Sequence, residues 1–272
     1  MSDRLGHHFR NAAGPGSVPP MALSVIAPGY VSGMGFSGWR RSEDFLTGEF
    51  FGLLRYLPVQ MGLLPVLARA RSTKDLTLVE WVRDYGLVDH HKIRLWPEFG
   101  RHIPDVLVHL NDRGGMPLAD VIVEVKFHSA QSERSDDPRH QLARYMAALA
   151  SDSTLCHASA RAVVYLTLDR TMPKGELDAA LGHAGQAKEK VQLFWVGWHE
   201  VAASLHDLRS DASFNAFAKH EAIIVQDLRG ILKARGIRTD AELEHFPLSG
   251  IEPLPDITAW LNLWPLVSRS LP

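Results

Sequence analysis

Apolar positions along the chain change their spacing several times, and each change marks an element. From residue 42 they recur at helical spacing: Phe45, Leu46, Phe50, Leu53, Leu54 and Leu57 fall on one stripe. Ser42 stands as the N-cap, Glu43 and Asp44 suit the first turn, and Pro58 closes the helix. Two further helical stretches are predicted at residues 59–70 and 76–85, the second stopped by Gly86. The spacing then drops to two. Residues 93–99 read as an edge strand, and residues 103–110 and 120–126 as a hairpin whose turn is Asn111-Asp112-Arg113-Gly114-Gly115. Asp137 and Pro138 fit the N-cap and first position of a helix running to residue 150. Residues 162–168 and 192–197 read as buried strands, separated by a helix at 176–190. Helices at 199–208 and 214–233 follow, the latter capped by Gly236.

Strand, helix, strand implies a right-handed crossover, so the expected fold is α/β with a mixed central sheet flanked by helices, plus C-terminal helices. Residues 1–38, rich in Gly, Pro and Ser, predict a flexible arm with an apolar patch at 21–26. Residues 39–272 predict a single domain, its core at about 42–200 and a helical cover at 200–272. The tail after Ser249 carries Trp260 and Trp264 and reads as packed cover or an interface.

Composition narrows the chemistry more than the fold. Across 272 residues, 29 Lys plus Arg face 31 Asp plus Glu, so net charge gives no vote for nucleic acid or an acidic membrane surface. The lone Cys156 excludes an internal disulfide framework, a Cys-based zinc site and an iron–sulfur cluster held by this chain alone. The start, MSDRLGHHFR, lacks the apolar segment of a secretory leader, and no run approaches the ~20 apolar residues of a membrane span. A cytoplasmic protein without membrane partners is expected. The 14 His form no metal-ligand spacing and the glycines no phosphate loop.

Chemistry concentrates on the strand Asp120-Val-Ile-Val-Glu-Val-Lys126. Val121, Val123, Val125 and Phe127 share one face, Ile122, Glu124 and Lys126 the other. Glu124 and Lys126 buried unpaired would cost several kcal/mol each, so a partner is required, and a cation is one. Pro104-Asp105 opens the other hairpin strand, with Asp105 aimed alongside Ile103 and Leu107. Glu49 interrupts the apolar stripe of the first helix, and Gln141 and Tyr145, four apart, share a helix face. Each has a plainer reading: a solvated strand end, a turn cap, a snorkelling glutamate, a polar surface. Asp120 reads as a strand-start or turn residue despite its parity with Glu124.

In this order the residues resemble the PD-(D/E)xK nuclease superfamily, with its restriction-endonuclease-like core of helix, three strands, helix, strand. Pro104-Asp105 matches the PD, Glu124 the acidic position and Lys126 the lysine. Gln141-x-x-x-Tyr145 resembles the QxxxY motif of the RecB-like branch. The resemblance covers about residues 42–168 and implies a Mg²⁺-dependent deoxyribonuclease, with Mn²⁺ able to substitute. Asp105 and Glu124 would be metal ligands, with Glu49 directly or through water, and the Val125 carbonyl a further ligand. Lys126 would position and help deprotonate the attacking water or stabilise the phosphorane-like state. Gln141 and Tyr145 would orient Lys126 and the scissile phosphate, and Arg139, His140 and Arg144 are candidate phosphate contacts. The implied partners are DNA, with RNA left open, and a protein supplying targeting or ATP-driven function, as for restriction or antiviral defence effectors. Homo-oligomerisation is left open. The alternative is a catalytically silent module of the same fold that binds nucleic acid or a partner protein.

Overall fold

The period-two segments pair into one five-stranded sheet: β1 (His90–Leu95), β2 (Val106–Asn111), β3 (Pro117–Val125), β4 (Ala160–Thr167) and β5 (Gln192–Gly197), in that spatial order. The computed structural model describes residues 43–98, 102–127, 138–151, 157–210 and 219–239. The N-terminal arm, the caps Ser42 and Asp137, and the Trp-containing tail lie outside them. Strands β1, β2 and β3 pair antiparallel, while β3, β4 and β5 pair parallel. The mixed sheet follows from the connections. A tight turn joins β2 to β3, with Gly115 at φ +81° and Met116 donating its N–H to Asp112 Oδ1 at 2.8 Å. Parallel neighbours need a crossover, and α4 (Pro138–Ser151) and α5 (Lys174–His183) supply them.

Side-chain alternation splits the interior into two cores. Val121, Val123 and Val125 join Val106, Val108, Val164 and Phe194 on one face. There they meet α1 (Glu43–Leu54), α2 (Leu63–Leu67), α3 (Leu78–Arg83), α6 (Trp198–Ser210) and α7 (Lys219–Ala234). On the other face Leu107, Ile122, Val163 and Trp195 pack under Leu142, Met146 and Leu149 of α4 and Leu177 of α5. Each fully buried Val or Leu contributes about 1.5–3 kcal/mol, so both layers hold the sheet. Among the described residues, no helix is long and apolar enough to cross a membrane.

Several boundaries differ from the sequence expectation: the helix expected at 176–190 is an α-helix at Lys174–His183 followed by a 3-10 turn at Gly185–Glu189, and the strand expected from residue 103 begins at Val106, so Asp105 lies just outside it. β1 begins at His90 and ends at Leu95, because Trp96 adopts φ +45° and turns the chain out of the strand. The helix expected at 59–70 contracts to Leu63–Leu67. Ahead of it the chain packs so tightly that a Cβ on Gly62 would lie 2.6 Å from Leu57 Cβ. Behind it Arg71 leaves the helix to exchange backbone hydrogen bonds with Trp195 at 2.8 Å each way, covering the outer edge of β5.

Asp120 is not a turn residue. It lies inside β3, 1% exposed, with Oδ1 2.7 Å from Nδ1 of His109 on β2 and Oδ2 accepting the Ala158 N–H at 2.9 Å. Removing this carboxylate leaves a buried N–H and a partly buried imidazole without their acceptor. Asp120→Ala is therefore expected to lower unfolding free energy by about 3 kcal/mol, read from the urea midpoint. A loss below ~0.5 kcal/mol would show the pair to be unimportant.

Candidate active site

The residues of interest form a cross-strand row at one end of the sheet. Val106 pairs with Val123, so continuing the register by one residue places Asp105 opposite Glu124, and Glu124 in turn pairs with Tyr165 on β4. On the far side the Trp96 N–H donates to the Asp105 carbonyl at 2.9 Å. Asp105 Oδ2 accepts the Val125 N–H at 2.8 Å, taking over a position where the ladder would otherwise continue. The paired ladder ends at Val106 and Val123; extended two residues further it would set Pro104 opposite Val125. The Pro-Asp pair thus anchors one carboxylate against Val125 and offers no proline N–H to extend the ladder.

The charges here are tightly interlocked. Lys126 Nζ lies 2.7 Å from Glu124 Oε1 and 3.5 Å from Glu43 Oε1, while Glu43 Oε2 accepts the Phe127 N–H at 2.8 Å. Glu124 is 2% exposed, and its Oε2 is buried with no hydrogen-bond partner among the described residues. Burial, then the adjacent Glu124 charge, push the Asp105 carboxyl well above the usual carboxylate range. Burial likewise raises Glu124, against the pull of Lys126. Burial works against the Lys126 ammonium, yet the charges of Glu124 and then Glu43 outweigh it and hold its pKa above the usual lysine value. Asp44, in the same first turn as Glu43, is raised by burial while Lys126 opposes the shift.

The helix α4 brings the polar pair. Gln141 Nε2 donates to Tyr145 Oη at 3.0 Å, and that hydroxyl reaches the Ile103 carbonyl at 3.5 Å. Burial, then the Glu124 charge, raise the Tyr145 pKa, so the phenol keeps its proton beside the carboxylates. Opposite it stands Tyr165, which sequence periodicity had absorbed into an apolar strand; its hydroxyl donates to Glu176 Oε2 at 3.4 Å. Arg144 lies on the same helix, while the side chains of Arg139 and His140 fall outside the described residues.

Glu49 is not part of the cluster. It pairs with Arg235 of α7 at 2.6 Å, and among the described residues no interaction joins it to Asp105, Glu124 or Lys126. Glu43, in the first turn of α1, is the helical carboxylate that meets Lys126. Glu49 lies six residues further on, about 9 Å along the helix axis and turned about 240° around it, so both cannot address one site. Two substitutions separate the roles. Glu43→Gln keeps an acceptor for Phe127 but loses the charge on Lys126; for a site with the nuclease activity that the sequence resemblance implies, cutting is expected to fall about 10-fold. Glu49→Gln is expected to weaken the fold by about 1–2 kcal/mol and leave the single-turnover rate within about two-fold. The reverse ranking of rates would place Glu49 at the site.

The donor set fits a hard divalent cation. Burial raises both Asp105 and Glu124, the Glu124 charge adds to the shift of Asp105, and Glu124 Oε2 is buried without a hydrogen-bond partner among the described residues, so carboxylate oxygens here lie poorly solvated and open to a hard cation. Among the described residues no group of three or more His, Cys, Asp or Glu converges as a ligand set. Mg²⁺ requires no such group, because it retains several waters and takes one or two protein carboxylates. No protein-family model matches the chain, and no curated protein or solved structure matches it at a significant level.

Proposed function

We propose that the chain is a divalent-metal-dependent nuclease with a restriction-endonuclease-like core that hydrolyses DNA phosphodiester bonds. The observation that carries this reading is the convergence of Asp105, Glu124 and Lys126 with Glu124 Oε2 buried and unpartnered. Asp105, Glu124 and the Val125 carbonyl would hold Mg²⁺, or Mn²⁺ in its place. Bound there, the cation would supply positive charge to the phosphoryl oxygens and acidify a water. Lys126 keeps its proton between Glu124 and Glu43, so it acts as a charged donor toward the phosphoryl group and the attacking water, and not as the base. This narrows the role expected from the sequence. Glu43 holds the ammonium, and Gln141 orients the Tyr145 hydroxyl above the carboxylates. In the reaction, the attacking water gives up one proton to bulk solvent as its oxygen bonds to phosphorus, the bond to the leaving sugar oxygen breaks, and that oxygen takes up a proton from solvent. A partner supplying targeting, in a restriction or defence setting, belongs to the same reading.

The direct test is incubation of end-labelled DNA with purified protein in Mg²⁺, in Mn²⁺ and in chelator. Products with either metal and none in chelator are expected; no product in any condition overturns the reading. One observation favours the silent-module alternative: the Glu124–Lys126 pair satisfies one carboxylate oxygen without metal. It leaves the other oxygen without a hydrogen-bond partner among the described residues, beside a second carboxylate raised by burial, Asp105.

A further inference from the structure

The sheet face that carries Glu124 is covered unevenly. Behind the site row lies the row Arg94, Leu107, Ile122 and Val163, and behind that Lys92, His109, Asp120 and Arg161. Residues directly opposite in a register share a face, so Lys92 and Arg94 stand on the Glu124 side of β1, about 10 Å across from β3. Under α4 the inner members, Leu107, Ile122 and Val163, are fully buried, whereas Lys92 is exposed and Arg94 half-buried. Other basic side chains on this face are already engaged. His90 pairs with Asp89 at 3.0 Å, His109 with Asp120 at 2.7 Å, and Arg161 turns back to the Ala158 and Leu149 carbonyls. Lys92 and Arg94 have no ion-pair partner among the described residues. The next residue but one is Trp96, half-buried, held at φ +45° with its N–H on the Asp105 carbonyl. A left-handed conformation costs a non-glycine residue roughly 1–2 kcal/mol, so the fold holds the Trp96 backbone against Asp105 despite a local penalty.

Two unpaired cations about 6.8 Å apart, leading to an aromatic residue at the reacting end, have the chemistry that follows a single nucleic-acid strand: charge for phosphates, a ring for a base. A duplex-binding face would instead need many phosphate contacts, and a chain of formal net charge −2 shows no such surplus of cations. We infer that Lys92, Arg94 and Trp96 form a track that leads a short single-stranded stretch of DNA along the open edge strand into the Asp105–Glu124 site. This rests on the nuclease reading and adds to it the substrate class and the residues that select it.

The test is binding of a fluorescein-labelled 12-nucleotide oligothymidylate, and of a labelled duplex of equal length, by anisotropy across a KCl series in chelator. The full-length protein is expected to prefer the single strand. The double variant Lys92→Gln/Arg94→Gln is expected to bind it at least ~10-fold more weakly, with the log–log salt slope shallower by about 1.4, that is about 0.7 for each of two phosphates. Trp96→Gly, which suits the left-handed backbone, is expected to weaken binding with the slope unchanged, and Lys92→Arg/Arg94→Lys to restore both affinity and slope. Absence of oligothymidylate binding, tighter binding of the duplex, or a double variant that binds like the wild type overturns the track. Cleavage in Mg²⁺ separates this result from the nuclease reading. Cutting by a double variant with unchanged binding overturns the track alone, whereas the expected binding losses in a protein that never cuts support the track and overturn the nuclease.

Discussion

Asp105→Asn is expected to reduce DNA cutting by at least about 10³-fold while making the metal-free protein more stable. The amide oxygen of Asn can accept the Val125 N–H as Asp105 Oδ2 does, so the local backbone keeps its anchor. What disappears is a charge that burial and Glu124 already oppose. Relief of that repulsion is worth on the order of 1 kcal/mol in the unfolding midpoint. Lys126→Met should behave in the opposite sense on stability. It removes the ammonium that compensates both Glu124 and Glu43, leaving a buried carboxylate with no counter-charge, and is expected to lose about 3 kcal/mol as well as activity. Single-turnover cutting and urea denaturation on the two variants give four signs to check. Cutting by Asp105→Asn at the wild-type rate would remove Asp105 from the chemistry.

Stability of the metal-free protein is expected to fall as pH rises above the ordinary carboxylate range. Asp105 and Glu124 both have folded-state pKa values above their unfolded ones. Below about pH 4 both states hold these protons and the stabilisation is fully present. As pH climbs, the unfolded chain releases its protons first, and stability is lost until the folded values are passed. Lys126, held above the usual lysine value, stays charged throughout this window. A cation held by the two carboxylates reverses the loss. At 100 times its Kd it adds about 2.7 kcal/mol, or roughly 5–10 °C in Tm, and the gain shrinks toward low pH as protons compete for the ligands. Thermal unfolding from pH 4 to 8 with chelator, Mg²⁺ or Mn²⁺ reads both effects. Identical pH profiles for wild type and Asp105→Asn would show that this carboxylate is not the source.

The part of the site legible in the sequence is the part set by local geometry. Alternation along residues 120–126 separates the valines from Glu124 and Lys126 because a strand has a fixed period, and the valines do line one core. Helical spacing puts Gln141 next to Tyr145 for the same reason. What required the third dimension was read less well. A carboxylate within an apolar stripe identifies a face but not a height along the axis, so the stripe singles out Glu49, while the first-turn position of Glu43 reads only as a favourable dipole contact. The true partner of Glu49, Arg235, lies 186 residues away and leaves no local trace. Asp120 reads as a strand-start or turn residue because its acceptor role depends on pairing with His109 across the hairpin. Tyr165 enters the row only through the β3–β4 register, which no short-range pattern specifies.

The central claim is that Asp105 and Glu124 together hold a divalent cation. Calorimetric titration of Mn²⁺ into the metal-free protein tests it most directly. The account predicts saturable binding by the wild type and by Lys126→Met, and none by Asp105→Asn or Glu124→Gln. Absence of binding by the wild type, or undiminished binding by Glu124→Gln, would contradict it.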